Sequence, residues 1–148
     1  MYSYTLDIWF YAAANVSGSI VGEQGGIGVP SGWTITLITV ESNTINIGFW
    51  NGSVYKLSLG SYTANTWTHV SCTYDYSTNT LVGYVNGAYV ATGTSAKQWP
   101  TTIYISLAGN ANPNPNFTGR IGPFKLYSTV LNATQVSQNY TGIRSRFI

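Results

Sequence analysis

A regular alternation of apolar and polar residues runs along most of this chain and limits it to a small set of folds. Tyr4, Leu6, Ile8 and Phe10 give the first clear instance, with Thr, Asp, Trp and Tyr between and after them. A period of two is typical of a β-strand with one face on the core. Further strands are predicted at residues 33–39, 44–49, 54–59, 67–74, 80–85, 88–92, 101–107 and 117–127. The pattern predicts an all-β protein.

Two Asn-Gly pairs lie between predicted strands. Asn51-Gly52 and Asn86-Gly87 each favour the positive φ angles that a type I′ turn requires at both central positions. Each pair is therefore predicted to close a two-residue hairpin.

Two segments have the composition of loops, and one has the start signal of a helix. Residues 22–32 contain five glycines and a proline, and residues 110–116 alternate Asn with Ala and Pro, so both are predicted to be exposed loops. Asn132 and Gln135 have the spacing of a capping box. A helix of about two turns is expected after Asn132.

Composition is consistent with one folded domain covering residues 1–148. The chain is 44% hydrophobic, enough for a core, and only 7% charged, where about 25% is usual. About ten short strands in a chain of this length suit two packed antiparallel sheets, the architecture of a sandwich. Hydroxyl and amide groups must supply most of the polar surface, which is typical of extracellular or virion surfaces.

The charge and the cysteine count exclude several classes of protein. The net charge is +2 and the six Lys and Arg residues are scattered, too sparse for a nucleic-acid surface. Cys72 is the single cysteine, which excludes an intrachain disulfide, and it is predicted to fill the core. No apolar run is long enough for a membrane span, and the first residues lack signal-peptide features. Export is then signal-independent or directed by a segment outside this chain.

The order of short motifs resembles the laminin-G-like, concanavalin-A-like jelly rolls. The motifs are YTLDIWF (4–10), WTHVSCTYD (67–75), YVNG (84–87), FTGRIGPFKLY (117–127) and VLNATQV (130–136). The resemblance covers nearly the whole chain and implies a two-sheet antiparallel jelly-roll sandwich with one short C-terminal helix. Proteins of this fold serve as lectins, carbohydrate-binding modules, adhesion domains, glycanase scaffolds and virion components. The segment QNYTGIRSRF (138–147) also resembles a tail common in structural proteins of phages and large viruses.

The carboxylates of the chain argue against catalysis. Glycosidases need two carboxyl groups at a defined separation, and only Asp7, Glu23, Glu41 and Asp75 are present, no two of them two residues apart. Asp75 is expected to close a hairpin turn, and Glu23 and Glu41 to be solvated. The only histidine, His69, has no G-x-S-x-G nucleophile motif to serve. The chain is predicted not to be an enzyme and to need no cofactor.

Calcium stays open as an alternative, because many sandwich lectins bind Ca²⁺ through Asp, Asn and backbone oxygens. Asp75 and the amides of residues 110–116 could contribute oxygen ligands. No cluster of acids is present to offset the charge of the ion. No metal site is therefore predicted.

Candidate ligand-binding residues are those that the alternation places on the outward face of the sheet. This face is concave in the resembled fold and often holds a glycan, for which aromatic rings offer stacking and polar groups offer hydrogen bonds. The candidates on it are Asp7, Trp9, Tyr11, His69, Ser71 and Tyr84. Candidates in the loops are Gln24, Trp33, Asn112 and Asn114. The alternative is that these aromatic residues only pack against the rest of the domain.

These observations favour a non-enzymatic lectin-like module displayed on a virion or other extracellular assembly. Its partners would be a glycan or cell-surface polysaccharide, together with further copies of itself or other assembly proteins. Two alternatives stay open: a purely structural subunit of a virion or filament, and an inactive relative of a glycanase. Nucleic acid is not an expected partner.

One further expectation comes from the resemblance. Domains of this family usually begin with a strand before the first motif, and here the chain starts at that motif. A strand position beside residues 5–10 is therefore predicted to be vacant, and the tail 142–148 or a neighbouring subunit is expected to fill it.

Overall fold

Ten strands and one α-helix make up the computed structural model, which describes residues 2–24, 34–99, 104–109 and 116–147. The strands are β1 (Tyr4–Tyr11), β2 (Gly18–Gln24), β3 (Thr34–Glu41), β4 (Thr44–Trp50), β5 (Val54–Ser61), β6 (Trp67–Asp75), β7 (Thr80–Val85), β8 (Ala88–Thr94), β9 (Tyr104–Leu107) and β10 (Arg120–Tyr127). The helix α1 (Ala133–Ile143) follows, and a short 3₁₀ turn (Arg144–Arg146) comes after it.

The strands form two antiparallel sheets of five. Sheet I has the order β10-β1-β6-β7-β8, and sheet II has the order β5-β4-β3-β2-β9. Leu6, Ile8 and Phe10 of sheet I pack against residues such as Ile47 and Phe49 of sheet II in one core. The predicted jelly-roll sandwich is confirmed. Cys72 lies buried in this core, where desolvation raises the pKa of its thiol to about 12.

Strand β2 is the main departure from the predicted secondary structure. Gly22 was expected to begin a loop, but it pairs with Thr36 of β3 on one side and with Ser106 of β9 on the other. Two flanking strands hold the glycine extended, so the tertiary setting overrides its weak strand propensity. Glu23 and Gln24 belong to β2 as well, so the loop prediction is also wrong for them. Residues 25–32 of that predicted loop, and residues 110–115 of the second one, lie outside the described residues. Asn116 forms an isolated parallel bridge with Ser19.

The two Asn-Gly pairs behave differently. Asn86 and Gly87 have φ angles of +50° and +77° and connect β7 to β8 as a two-residue turn, as predicted. The prediction for Asn51-Gly52 is wrong, because Trp50 pairs with Val54 and the loop therefore has three residues. The side-chain Oδ1 of Asn51 accepts the backbone N–H of Ser53 at 3.1 Å, and this contact favours the longer loop.

The predicted vacancy beside β1 is also wrong. β1 pairs with β6 on one side and with β10 on the other, so both of its edges are hydrogen-bonded. Within the described chain, β10 is the outer strand on that side of sheet I. It contains Arg120, Pro123 and Lys125, residue types that discourage edge-to-edge pairing.

Helix α1 begins at the predicted cap. The side chain of Asn132 accepts the N–H of Gln135 at 2.9 Å, and the side chain of Gln135 accepts the N–H of Asn132 at 3.0 Å. The helix has 11 residues, about three turns instead of the expected two. Val136 is fully buried against Tyr84 and Leu131 on the face of sheet I that points away from the main core. In the described ranges, no helix has the length and apolar character needed to cross a membrane.

Candidate functional site

The outward face of sheet I brings the predicted candidates together. Asp7 lies opposite Ser71, Trp9 opposite His69, and Ser71 opposite Tyr84 in neighbouring strands. The prediction that they share one face is confirmed by this register.

This outward face of sheet I is covered and is not open to solvent. Asp7, Trp9, His69 and Ser71 are at most 1% exposed, and Tyr84 is 6% exposed. Helix α1 and the segment after it cover them, because the apolar side chains on this face need burial as much as those of the main core. Most of these residues are therefore part of a packed interface, which is the alternative that the sequence left open for the aromatic residues.

A buried polar network fastens the helix to the sheet. Oδ2 of Asp7 accepts hydrogen bonds from Oγ of Ser71 at 2.8 Å and from Nδ2 of Asn139 at 3.1 Å, and Nε2 of His69 lies 3.1 Å away. The Asn139 amide also donates to the Tyr127 hydroxyl at 3.0 Å. Desolvation, the largest influence, raises the pKa of Asp7, but the contacts with His69, Ser71 and Asn139 together bring it below its ordinary value. The carboxylate thus holds a sheet and a helix together.

Next to this network lies an aromatic pocket of about 340 Å³. We use this name for the space lined by Trp9, Tyr11, Asn65, Thr66, Trp67, Tyr140 and Phe147. β1 supplies the first two residues, the turn into β6 supplies the next three, and α1 and the C-terminal segment supply the last two. Two of the six predicted face residues, Trp9 and Tyr11, therefore contribute to it.

The rings of this pocket form a continuous cluster of stacked, tilted and edge-to-face contacts. Trp9 stacks on Phe147 with ring centroids 4.5 Å apart and on Tyr140 with centroids 5.5 Å apart. Trp67 contacts Phe147 at 4.7 Å and Tyr11 at 5.8 Å. Trp9 is buried behind the others, whereas Tyr11 and Trp67 are half-buried and present part of their rings to solvent.

The rim of the pocket is polar and fixed in place. Asn65 has a φ of +59°, and its backbone N–H donates to the carbonyl of Ala12 at 2.8 Å, which fastens the turn to the end of β1. Its side-chain amide makes no hydrogen bond within the described part of the chain and is exposed, as is Thr66. The guanidinium of Arg120 lies 5.3 Å from the centre of the Tyr11 ring. Aromatic surface, a free amide and a cation therefore meet at one opening.

Of the loop candidates, only Gln24 lies within the described residues, and it does not line the pocket. Gln24 ends β2 in sheet II, and Trp33, Asn112 and Asn114 lie outside the described residues. Sequence reasoning missed the other five lining residues, which are Asn65, Thr66, Trp67, Tyr140 and Phe147. A signal for the last two is present, because both lie in the C-terminal motif 138–147 that resembles viral structural proteins.

Each of the four carboxylates in the chain has a structural partner. Asp7 is in the network above, and Asp75 accepts the N–H of Ser77 at 2.9 Å in a turn, as predicted. Glu41 pairs with Lys56 at the surface, as expected for a solvated group. Glu23 was also expected to be solvated, but it is 5% exposed and paired with Lys97, so that prediction is wrong. Among the described residues no group of three His, Cys, Asp or Glu side chains could hold a metal ion.

Two antiparallel sheets of five strands, with a C-terminal helix over the outer face of one of them, form a jelly-roll sandwich. A family model described as the concanavalin A-like lectin/glucanases superfamily matches residues 1–137. The chain belongs to this family, which confirms the resemblance seen in its motifs. A comparison with curated protein sequences finds no match.

Solved structures with the same fold include several binding proteins. One is a heptameric SAP-like pentraxin of Limulus polyphemus, with a TM-score of 0.72, 15% identity, and coverage of 93% of this chain and 69% of that one. A second is the CBM40 of a Ruminococcus gnavus IT-sialidase bound to α2,3-sialyllactose, with a TM-score of 0.72, 15% identity, and coverage of 95% of this chain and 83% of that one. A third is the binding domain of botulinum neurotoxin DC in complex with rat synaptotagmin II, with a TM-score of 0.68, 15% identity, and coverage of 96% of this chain and 36% of that one. The chain thus spans about a third of the toxin domain.

Proposed function

We propose that this chain is a non-enzymatic carbohydrate-binding module and that the aromatic pocket is its glycan site. The observation that carries the proposal is the opening formed by Tyr11 and Trp67 beside the exposed Asn65 and Thr66. Sugars offer flat C–H faces that stack on aromatic rings, and their hydroxyl groups pair with amides and hydroxyls. The site needs no metal or cofactor for this kind of binding.

The engagement of every carboxylate supports binding rather than catalysis. Asp7 and Glu23 are buried and paired, Asp75 is held in a turn, and Glu41 forms a surface ion pair. Hydrolysis of a glycosidic bond requires one carboxyl group to donate a proton and a second to attack or activate water. Neither role suits a group already committed to holding the fold together.

The structural relatives support the same class of function. The bacterial CBM40 is described in complex with sialyllactose, and the toxin domain in complex with synaptotagmin. Both are binding domains, one for a glycan and one for a protein. We choose the glycan because the pocket is small and aromatic and has the amide of Asn65, unpaired among the described residues, and the exposed side chain of Thr66 at its edge, whereas a protein partner would need a larger flat surface.

The test is a glycan array on the purified domain, followed by calorimetric titration. α2,3-Sialyllactose and lactose serve as defined probes in addition to any glycan found on the array. Tyr11→Ala and Trp67→Ala should each weaken glycan binding by about fivefold or more, since a lost stacking contact costs roughly 1 kcal/mol.

Tyr89→Ala is the matched control. Tyr89 is an exposed tyrosine on β8, outside the pocket, and its removal should leave glycan affinity unchanged. Circular dichroism must show an intact fold in all three variants. Unaltered glycan affinity in both pocket variants would refute the assignment of the site, and the absence of any bound glycan would refute the lectin function.

We further propose that the module is displayed on a virion or another extracellular assembly. The support is its sparsely charged surface and the C-terminal motif that resembles phage and large-virus structural proteins. A domain that binds no glycan but associates reversibly in light scattering would instead favour the alternative, a purely structural subunit.

A further inference from the structure

A second cavity, which we call the inter-sheet cleft, opens between the edges of the two sheets. Its volume is about 350 Å³, and it shares no lining residue with the aromatic pocket. β1 and β10 border it on one side and β2, β3 and β9 on the other. The residues that determine its character are Tyr2, Tyr4, Leu37, Trp99, Ile105 and Leu126. A volume in this range suits a small organic molecule.

The walls and rim of the cleft are apolar and accessible. Tyr2 is 70% exposed and Leu126 is 57% exposed at its mouth. Tyr2 and Tyr4 both meet Trp99 edge to face, with ring centroids 6.1 and 6.2 Å apart. Exposed apolar groups that converge on one cavity are unfavourable in water and are typical of a binding site.

One polar group lies at the inner end of the cleft. Glu23 lines it, and Oε2 of Glu23 pairs with Nζ of Lys97. The other oxygen, Oε1, accepts no hydrogen bond from the described residues. The ammonium group of Lys97 balances the carboxylate of Glu23, so the pair is neutral overall. A ligand charge of either sign would therefore be desolvated in an apolar cleft without an opposite charge to pair with. A carboxylate oxygen can only accept a hydrogen bond.

We propose that the inter-sheet cleft binds a small uncharged amphiphile, with its apolar body along Leu37, Ile105 and Leu126 and a hydroxyl group donating to Glu23. The aromatic side chains at the mouth cover the apolar body. This site is independent of the proposed glycan site, and the domain would then carry two ligands at separate places.

The test uses the neutral fluorescent probe N-phenyl-1-naphthylamine, together with unlabelled compounds of ten carbon atoms that compete with the probe for the cleft. Saturable probe emission is expected, and 1-decanol should displace the probe. Decanoate and decylammonium should compete at least tenfold less well because each adds a charge. The isomer 1-methoxynonane should compete about fivefold less well than 1-decanol, because it lacks the donor for Glu23.

Two matched variants locate the site. Leu126→Arg places a charge at the mouth and should weaken probe binding at least tenfold. Leu107→Arg alters a leucine that is 43% exposed but does not line the cleft, so probe binding should stay unchanged. Absence of saturable emission, equal losses in both variants, or equal competition by the charged compounds would each overturn the proposal. Glycan binding by Leu126→Arg should be normal, which separates this test from that of the aromatic pocket.

Discussion

The buried ion pair between Glu23 and Lys97 allows a quantitative test of how this sandwich is stabilised. The Lys97 side chain is fully buried, and its Nζ lies 5.8 Å from the centre of the Phe49 ring and 5.2 Å from that of Trp99. Burial, the largest influence, lowers the pKa of Lys97, and the attraction of Glu23 opposes that shift. The buried ammonium group of Lys97 is therefore stabilised by the carboxylate of Glu23, and the carboxylate by the ammonium group.

The perturbation is a double-mutant cycle with Lys97→Met and Glu23→Leu. Methionine keeps the length of the lysine stem and its contact with the rings, so mainly the charge is removed. Loss of one partner of a buried pair costs about 3–5 kcal/mol. For a domain of this size that is a fall in Tm of roughly 10–15 °C. The double variant should lie within about 1 kcal/mol of the parent, because apolar residues of similar volume replace a pair that was costly to desolvate.

The assay is urea unfolding, followed by tryptophan fluorescence and by circular dichroism, with coincident transitions as the check on two-state behaviour. We expect a coupling free energy of at least about 2 kcal/mol between the two positions. Single variants that each cost less than about 1 kcal/mol, or costs that add to within about 0.5 kcal/mol in the double variant, would refute the reasoning.

Three further predictions concern the helix and the glycines. The pKa of Asp7 is lowered in the fold, so the stabilisation by its carboxylate is present above the unfolded pKa of about 3.9 and is lost as the pH falls through the folded pKa. In urea titrations, Asp7→Asn should therefore lose less stability than the parent protein between pH 5 and pH 2. Val136→Ala should cost about 2 kcal/mol of unfolding free energy, because this valine of α1 is fully buried against sheet I. Faster amide exchange confined to α1 would show that the helix opens on its own. Gly142→Ala should raise the unfolding free energy by up to about 1 kcal/mol, since nothing lies near its added Cβ. Gly48→Ala should lower it by about 2 kcal/mol or more, since its Cβ would overlap the carbonyl oxygen of Tyr55, so the thermal melts of the two variants should move in opposite directions.

Most of the sheet framework could be predicted from the sequence, because a strand buried on one face has a visible period of two. The alternation around Ile8 and Val70 placed both strands and identified their core-facing side chains. β2 was missed at Gly22 because its extended form depends on strands β3 and β9, which are distant in sequence. The loop at Asn51 was misjudged because a side-chain hydrogen bond selects its length.

The candidate site was predictable only in part. Alternation shows which side chains share a face, so Trp9 and His69 were correctly placed together. It does not show what packs against that face, and here Tyr140 and Phe147 cover it. Tyr11 extends beyond the cover and keeps the half-buried position that the proposed function needs. The physical reason is that burial depends on elements more than 60 residues away along the chain.

Strand β1 lies inside sheet I, between β10 and β6, and this position affects the order in which its two edges can pair. Thr5 pairs with Thr73 on one side and with Tyr127 on the other, so β1 gains its second neighbour only when β10, more than 100 residues later in the chain, has been made. Contacts of such large sequence separation close slowly, in milliseconds to seconds for β-sandwiches. During synthesis β1 therefore has an unpaired edge until β10 emerges, and this is the interval in which the nascent chain is most prone to aggregation.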